Sequence, residues 1–126
     1  MTSTNAFRVR RDLEIHPWIV ASKLDPGLER IVIVNVSSWR ASKDQACIIE
    51  PGEHPCIPHR SVIVYGKACI GSRAKLNEGI EAGIIDPQEP VGENLMARIL
   101  AGFVVSEQTP IEVLEFLEAQ GLIESR

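Results

Sequence analysis

Four consecutive β-branched residues, Ile31 to Val34, constrain the fold of this chain more than any other feature. β-branched side chains are stiff at χ1 and pack well on a pleated surface. An apolar run without polar alternation is typical of a strand that is covered on both faces. The run stops at Asn35, and two hydroxyl side chains follow at Ser37 and Ser38. We therefore predict a central strand whose C-terminal end opens onto a functional surface.

Other strand signals surround this run, and helical signals come only after them. Further strands are predicted over Phe7–Leu13 as an edge strand, Trp18–Ser22, Ala46–Ile49 and Ser61–Ala68, with Gly66 as a bulge candidate. After residue 70 the apolar period becomes helical. Strands followed by helices predict an α+β fold: a small antiparallel sheet or barrel over residues 7–70, and a helical part over 71–126 of the same domain.

Three helices are predicted in the second part of the chain. Ser72 has the side chain of an N-cap for a helix that runs through Ala82 and ends before Gly83. A second helix spans Glu93 to Gly102, with 84–90 as the linker before it. Thr109–Glu112 has the pattern of a capping box with proline at the first helical position, and Ile111, Val113, Leu114 and Leu117 form the core side of a third helix.

Length and composition are those of a single globular domain in a reducing compartment. The chain has 126 residues, of which 44% are hydrophobic and 24% charged. No apolar run is long enough to span a bilayer, and the N-terminus lacks the apolar core of a signal peptide. The cysteines, Cys47, Cys56 and Cys69, are odd in number and show no disulfide framework. We therefore expect a cytoplasmic protein without membrane contact.

The charges are divided unevenly along the chain. Residues 1–75 carry 11 Lys and Arg against 7 Asp and Glu, a net charge of +4, whereas residues 76–126 carry 2 against 10, a net charge of −8. A basic strand-rich part is typical of a protein with an anionic partner. A solvated surface with no partner accounts for such asymmetry equally well.

The order of motifs resembles that of the MazF/PemK-type toxins of bacterial toxin–antitoxin pairs. His16–Ser22 resembles their Arg-Pro motif and the strand after it, and Ile31–Ser38 resembles their apolar strand that ends in hydroxyl residues. Pro51-Gly52 and Ser61–Val64 continue the match, which covers roughly residues 14–70. The resemblance implies an SH3-like barrel with appended helices, a homodimer, an antitoxin partner, and cleavage of single-stranded RNA without a metal or other cofactor.

The resemblance also assigns site residues. Ser37 falls at the family's active-site Thr, and His16 at its catalytic Arg, while Asn35 replaces a usual Pro. RNA cleavage by internal attack needs an acid, a base and donors to the phosphate. A histidine with an ordinary pKa of about 6.5 suits either proton role, and a serine hydroxyl can donate to a phosphate oxygen. Both residues equally suit purely structural roles at strand ends.

Cations and one tryptophan are predicted to hold the RNA. Trp39 suits base stacking or packing at the barrel rim. The predicted phosphate-binding cations lie in loops or at strand ends, at Arg40, Lys43, Arg60 and Lys67. A further basic cluster near the N-terminus, Arg8, Arg10 and Arg11, suits either phosphate contact or a solvated strand edge.

Two other classes of function stay open beside the ribonuclease. One is a catalytically silent barrel that binds protein or nucleic acid. The other is a small zinc-binding protein, since His54, Cys56 and His59 lie close together in a proline-rich loop and Cys47 or Cys69 would supply a fourth ligand. The spacing matches no strong zinc signature, so a structured loop with a buried Cys56 is the competing interpretation.

Overall fold

A computed structural model describes residues 5–9, 17–25 and 27–124 of the chain. The described elements, in chain order, are β1 Ala6–Val9, β2 Trp18–Val20, β3 Arg30–Ser38, β4 Ile48–Ile49, β5 Ser61–Ser72, α1 Arg73–Glu81, β6 Ile85–Pro87, α2 Glu93–Val105 and α3 Ile111–Ala119. The strands form one antiparallel sheet in the order β4-β5-β3-β2-β1-β6. The predicted mixture of an antiparallel sheet with C-terminal helices is therefore confirmed.

Closure of the sheet into an SH3-like barrel is not shown. β4 and β6 are the two edges of the sheet, and no strand pairing among the described residues joins them. The chain thus forms an open six-stranded sheet with three helices over the ranges described above. None of the helices in these ranges is both long enough and apolar enough to cross a lipid bilayer.

The β-branched run of β3 is buried on both faces, as predicted. Val32, Val34 and Val36 point into the larger core, which also receives the apolar faces of α2 and α3. Ile31 and Ile33 point to the opposite face, where they pack with α1 and β6. Side chains alternate across a strand, so only a strand between two packed layers accepts apolar residues at consecutive positions.

β3 and β5 form the longest pairing and carry an irregular stretch near its middle. Ile33 pairs with Cys69, but Asn35 pairs with Val64, so residues 65–68 of β5 lie opposite Val34 alone. Gly66, which the sequence suggests as a bulge position, falls within this irregular stretch. Beyond the irregularity the register is regular again, and Ser38 at the end of β3 pairs with Ser61 at the start of β5.

The first two helices begin where they are predicted to begin. Ser72 caps α1, because its hydroxyl oxygen accepts the backbone N–H of Lys75 at 3.2 Å, and Gly83 follows the helix at φ +75°. Residues Leu95, Ile99 and Phe103 form the buried face of α2. α2 extends past the predicted end at Gly102 to Val105 because Ser106 and Thr109 form the turn that stops it.

Four local predictions are wrong. Thr109 does not form a capping box, because its hydroxyl donates to the Phe103 carbonyl oxygen at 2.8 Å and Pro110 occupies the N-cap of α3. Ile111 is 66% exposed, since it lies about 200° around the helix from the buried Val113. Residues 84–90 are not only a linker, because they contain β6, which pairs with β1. β1, which is predicted as an edge strand, is therefore an interior strand.

Candidate active site

A pocket of about 260 Å³ opens where β3 ends and β5 begins. The two strands are antiparallel, so the end of one and the start of the other lie side by side. The pocket is lined by Arg8, Pro17, Val36, Ser37, Ser38, Cys56, Ile57, Pro58, His59 and Ser61. The predicted functional surface at the C-terminal end of the central strand therefore coincides with a real concavity.

A serine and a histidine form the most distinctive contact in this pocket. The hydroxyl oxygen of Ser38 lies 2.9 Å from Nε2 of His59. The pairing of Ser38 with Ser61 places His59 beside Ser38, since His59 is only two residues before Ser61. The Ser61 hydroxyl in turn donates to the His59 carbonyl oxygen at 2.9 Å and fixes the backbone there.

Lys43 brings a positive charge to the neighbouring serine. Its ammonium group donates to the Ser37 hydroxyl at 2.6 Å and to the Ser38 carbonyl oxygen at 2.8 Å. The loop that carries Lys43 is held by Gln45, whose side-chain amide donates to the carbonyl oxygens of Arg40 and Lys43. A hydroxyl that accepts from an ammonium keeps its own proton free to donate to an anion in the pocket.

Arg8 supplies a second cation and lines the pocket itself. Its Nη2 donates to the Cys56 carbonyl oxygen at 3.1 Å. Its Nε is buried, and within the described residues it has no hydrogen-bond partner. A buried N–H group without an acceptor is costly, and a bound anion or water would satisfy it.

Trp39 and Arg60 stand next to the pocket without lining it. The Arg60 guanidinium lies 5.0 Å from the centre of the Trp39 ring and also forms a 3.1 Å ion pair with Glu50. The Trp39 indole donates to Gln45 at 2.8 Å, and 37% of its surface stays exposed. One face of the predicted stacking platform is thus already covered by an arginine.

The structure brings together some of the predicted site residues and separates others. Ser37 lines the pocket, and Lys43 contacts the Ser37 hydroxyl. Arg40 is exposed on the adjoining loop. Lys67 lies in the irregular stretch of β5 and does not line the pocket. His16, Arg10 and Arg11 lie outside the described residues; Pro17, which follows His16 in the chain, lines the pocket.

The predicted zinc ligands do not converge. His54 and Cys56 contact each other, since His54 Nδ1 lies 3.0 Å from the Cys56 sulfur, but His59 binds Ser38 instead. Cys47 is buried and Cys69 is exposed on β5. Across the ranges that the structure describes, no three His, Cys, Asp or Glu side chains are grouped so that they could hold a metal ion.

His59 and Ser38 are the site residues that sequence reasoning missed. The sequence suggests His59 only as a zinc ligand, and Ser38 only as the neighbour of Ser37. They are found only through the pairing of β3 with β5, which aligns Ser38 with Ser61 and is not revealed by a local sequence pattern. Comparisons of this chain with protein-family models, with curated proteins and with solved structures found no match.

Proposed function

We propose that the protein is an endoribonuclease that cuts single-stranded RNA without a metal ion. One observation supports this more than any other: the Ser38 hydroxyl and the His59 imidazole are 2.9 Å apart in a pocket that also holds Arg8. Internal phosphodiester cleavage needs proton transfer and donors to the phosphate, and an imidazole and a guanidinium can supply these, while the Ser38 hydroxyl holds the imidazole in place.

Each group has a role in this proposal. His59 takes the proton of the 2′-hydroxyl or gives one to the leaving oxygen, and its hydrogen bond to Ser38 orients the ring. Arg8 and the Ser37 hydroxyl donate to the non-bridging phosphate oxygens. Lys43 lies behind Ser37 and adds positive charge where the phosphate gains negative charge. His16 stays the second candidate for a proton role, from the resemblance.

The wider biological role is proposed on the resemblance to MazF/PemK-type toxins. The protein would act in the cytoplasm as the toxin of a toxin–antitoxin pair, with an antitoxin protein as its inhibitor and an SH3-like barrel as its fold. A homodimer is proposed as well. Phe103 is buried and contributes nothing to an outer surface, but Val105 is 68% exposed on α2 and is available to a second copy.

The decisive experiment is single-turnover cleavage of a mixed-sequence RNA in EDTA, with RNA binding measured in parallel. We expect the wild type to cut, and His59→Ala to cut far more slowly while it still binds. If the wild type binds RNA but does not cut it, the protein is a catalytically silent binding module. If it neither binds nor cuts RNA, both the nuclease function and the RNA-binding function are excluded.

A further inference from the structure

The Cys56 thiol faces the same pocket and is separate from the groups assigned to RNA cleavage. Cys56 lines the pocket although only 5% of its surface is exposed. Its sulfur lies 3.0 Å from Nδ1 of His54, which is itself 3% exposed. A buried thiol with an imidazole nitrogen at hydrogen-bond distance has the geometry of an activated nucleophile and its base.

The protonation of His54 follows from its partners. Its Nε2 lies 2.5 Å from the Glu89 carbonyl oxygen, and a carbonyl oxygen only accepts, so Nε2 carries a hydrogen. Nδ1 accepts the backbone N–H of Cys56 at 3.1 Å, which holds this nitrogen as an acceptor beside the thiol. The Glu89 carbonyl therefore orients a ring whose acceptor nitrogen is shared between the Cys56 backbone N–H and the Cys56 sulfur.

Arg8 places a positive charge beside Cys56. Its Nη2 donates to the Cys56 carbonyl oxygen, and its buried Nε has no partner within the described residues. Burial raises the pKa of the Cys56 thiol, and the Arg8 charge opposes that rise. The resting thiol is therefore protonated, and its sulfur lies 3.0 Å from Nδ1 of His54.

We propose that Cys56 is a modification site at which a small hydroperoxide, entering through the pocket, oxidises the thiol to a sulfenic acid. The sulfur attacks one peroxide oxygen while its proton passes to Nδ1 of His54. The S–O bond forms, the O–O bond breaks, and the leaving oxygen takes the proton and departs as water or an alcohol. Sulfur loses two electrons and the peroxide gains two. Arg8 stabilises the negative charge on the leaving oxygen.

The other two cysteines provide internal comparisons. Cys69 is exposed on β5 and has no histidine contact within the described residues, so exposure alone predicts that it reacts first. Cys47 is buried like Cys56 but does not line this pocket. A base-assisted thiol in a pocket should react faster than both, whereas a merely buried thiol should react more slowly than Cys69.

The test treats the native protein with hydrogen peroxide, traps sulfenic acids with dimedone, and locates the adducts by mass spectrometry. We expect Cys56 to be labelled about tenfold or more faster than Cys69, and Cys47 to stay unlabelled. In His54→Asn the side-chain oxygen can replace Nδ1 as an acceptor but not as a base. Labelling of Cys56 should then fall by about a hundredfold or more.

Two outcomes would overturn the proposal. The first is that Cys69 reacts faster than Cys56 in the native wild type, a result that does not depend on whether any variant folds. The second is that His54→Asn, with a thermal unfolding midpoint close to the wild type, labels at an unchanged rate. The measurement needs no RNA, so its result is independent of the proposed nuclease activity.

Discussion

The hydroxyl oxygen of Ser38 and the Nε2 atom of His59 lie 2.9 Å apart, although the two residues are 21 positions apart in the chain. Their contact results from the pairing of Ser38 with Ser61, which brings the end of β3 beside the start of β5. Ser38 is the last residue of β3, whereas His59 lies in a bend of the loop just before β5 begins. The Ser61 hydroxyl donates to the His59 carbonyl oxygen and fixes the loop backbone at this point.

His59→Ala is expected to lower the single-turnover rate of RNA cleavage by about 10²–10⁴-fold, because it removes the proposed acid or base. Ser38→Ala should cause a smaller loss, since it removes only the group that orients the ring. The measurement is cleavage in EDTA, with circular dichroism as the check of folding. His16→Ala is the matched comparison. A larger loss of cleavage rate in His16→Ala than in His59→Ala would assign the proton transfer to His16.

RNA affinity should depend on Lys43 and Arg40 through their charge. We expect the double variant Lys43→Gln/Arg40→Gln to bind RNA more weakly. The slope of log K against log salt should also become shallower, by about 0.7 for each phosphate that is no longer neutralised. Titrations of a fluorescent RNA at several salt concentrations measure both quantities. Lys67→Gln serves as the control, because it removes a charge that lies outside the pocket. An equal effect of Lys67→Gln would mean that the basic surface is not centred on this pocket.

Gly102→Ala should destabilise the fold strongly. Gly102 lies on α2 against the hydroxyl of the buried Tyr65, which donates to the Ile99 carbonyl oxygen at 2.7 Å. A methyl group at this position would overlap the tyrosine ring, and overpacking typically costs about 1–3 kcal/mol. Urea unfolding measures the loss. Gly92→Ala is the control, because nothing lies within 4 Å of its added methyl group, and equal losses in both variants would contradict the packing argument.

Glu53 should contribute pH-dependent stability. The Arg98 guanidinium and the backbone N–H of Glu50 hold the pKa of the Glu53 carboxyl below its usual value. A carboxyl with a lowered pKa stabilises the folded state above its ordinary pKa, and this contribution is lost as the pH falls through the folded-state value. Glu53→Gln should therefore lower the free energy of unfolding at pH 7 by about 0.2–1 kcal/mol, as for other exposed ion pairs.

The difference between Glu53→Gln and the wild type should shrink as the pH falls from 7 towards 3, because the wild-type carboxyl then becomes neutral as well. Denaturant unfolding at each pH gives the comparison. Glu107→Gln, at an exposed position after α2, is the control for a general charge effect. A difference that stays constant down to pH 3 would show that the carboxylate is not the cause.

Elements with local signals could be predicted from the sequence without knowledge of their neighbours. Consecutive β-branched residues from Ile31 to Val34 require burial on both faces, and this requirement identifies the central strand. Ser72 and Gly83 bound the first helix, because a hydroxyl N-cap and a residue with positive φ act within one helical turn. Ser37 is found for the same reason, since it lies near the end of that strand.

Which distant residues meet could be learned only from the folded chain. The partner of Ser38 depends on the register between β3 and β5, which shifts at residues 65–68 in a way that no local pattern reveals. Thr109 has the sequence of a helix cap, but its hydroxyl is buried against α2 and donates to Phe103 instead. Cys56 has a base beside it because Glu89, far along the chain, holds His54. Long-range contacts of this kind arise from packing and strand pairing, whereas sequence signals report mainly on neighbours within a turn or a strand.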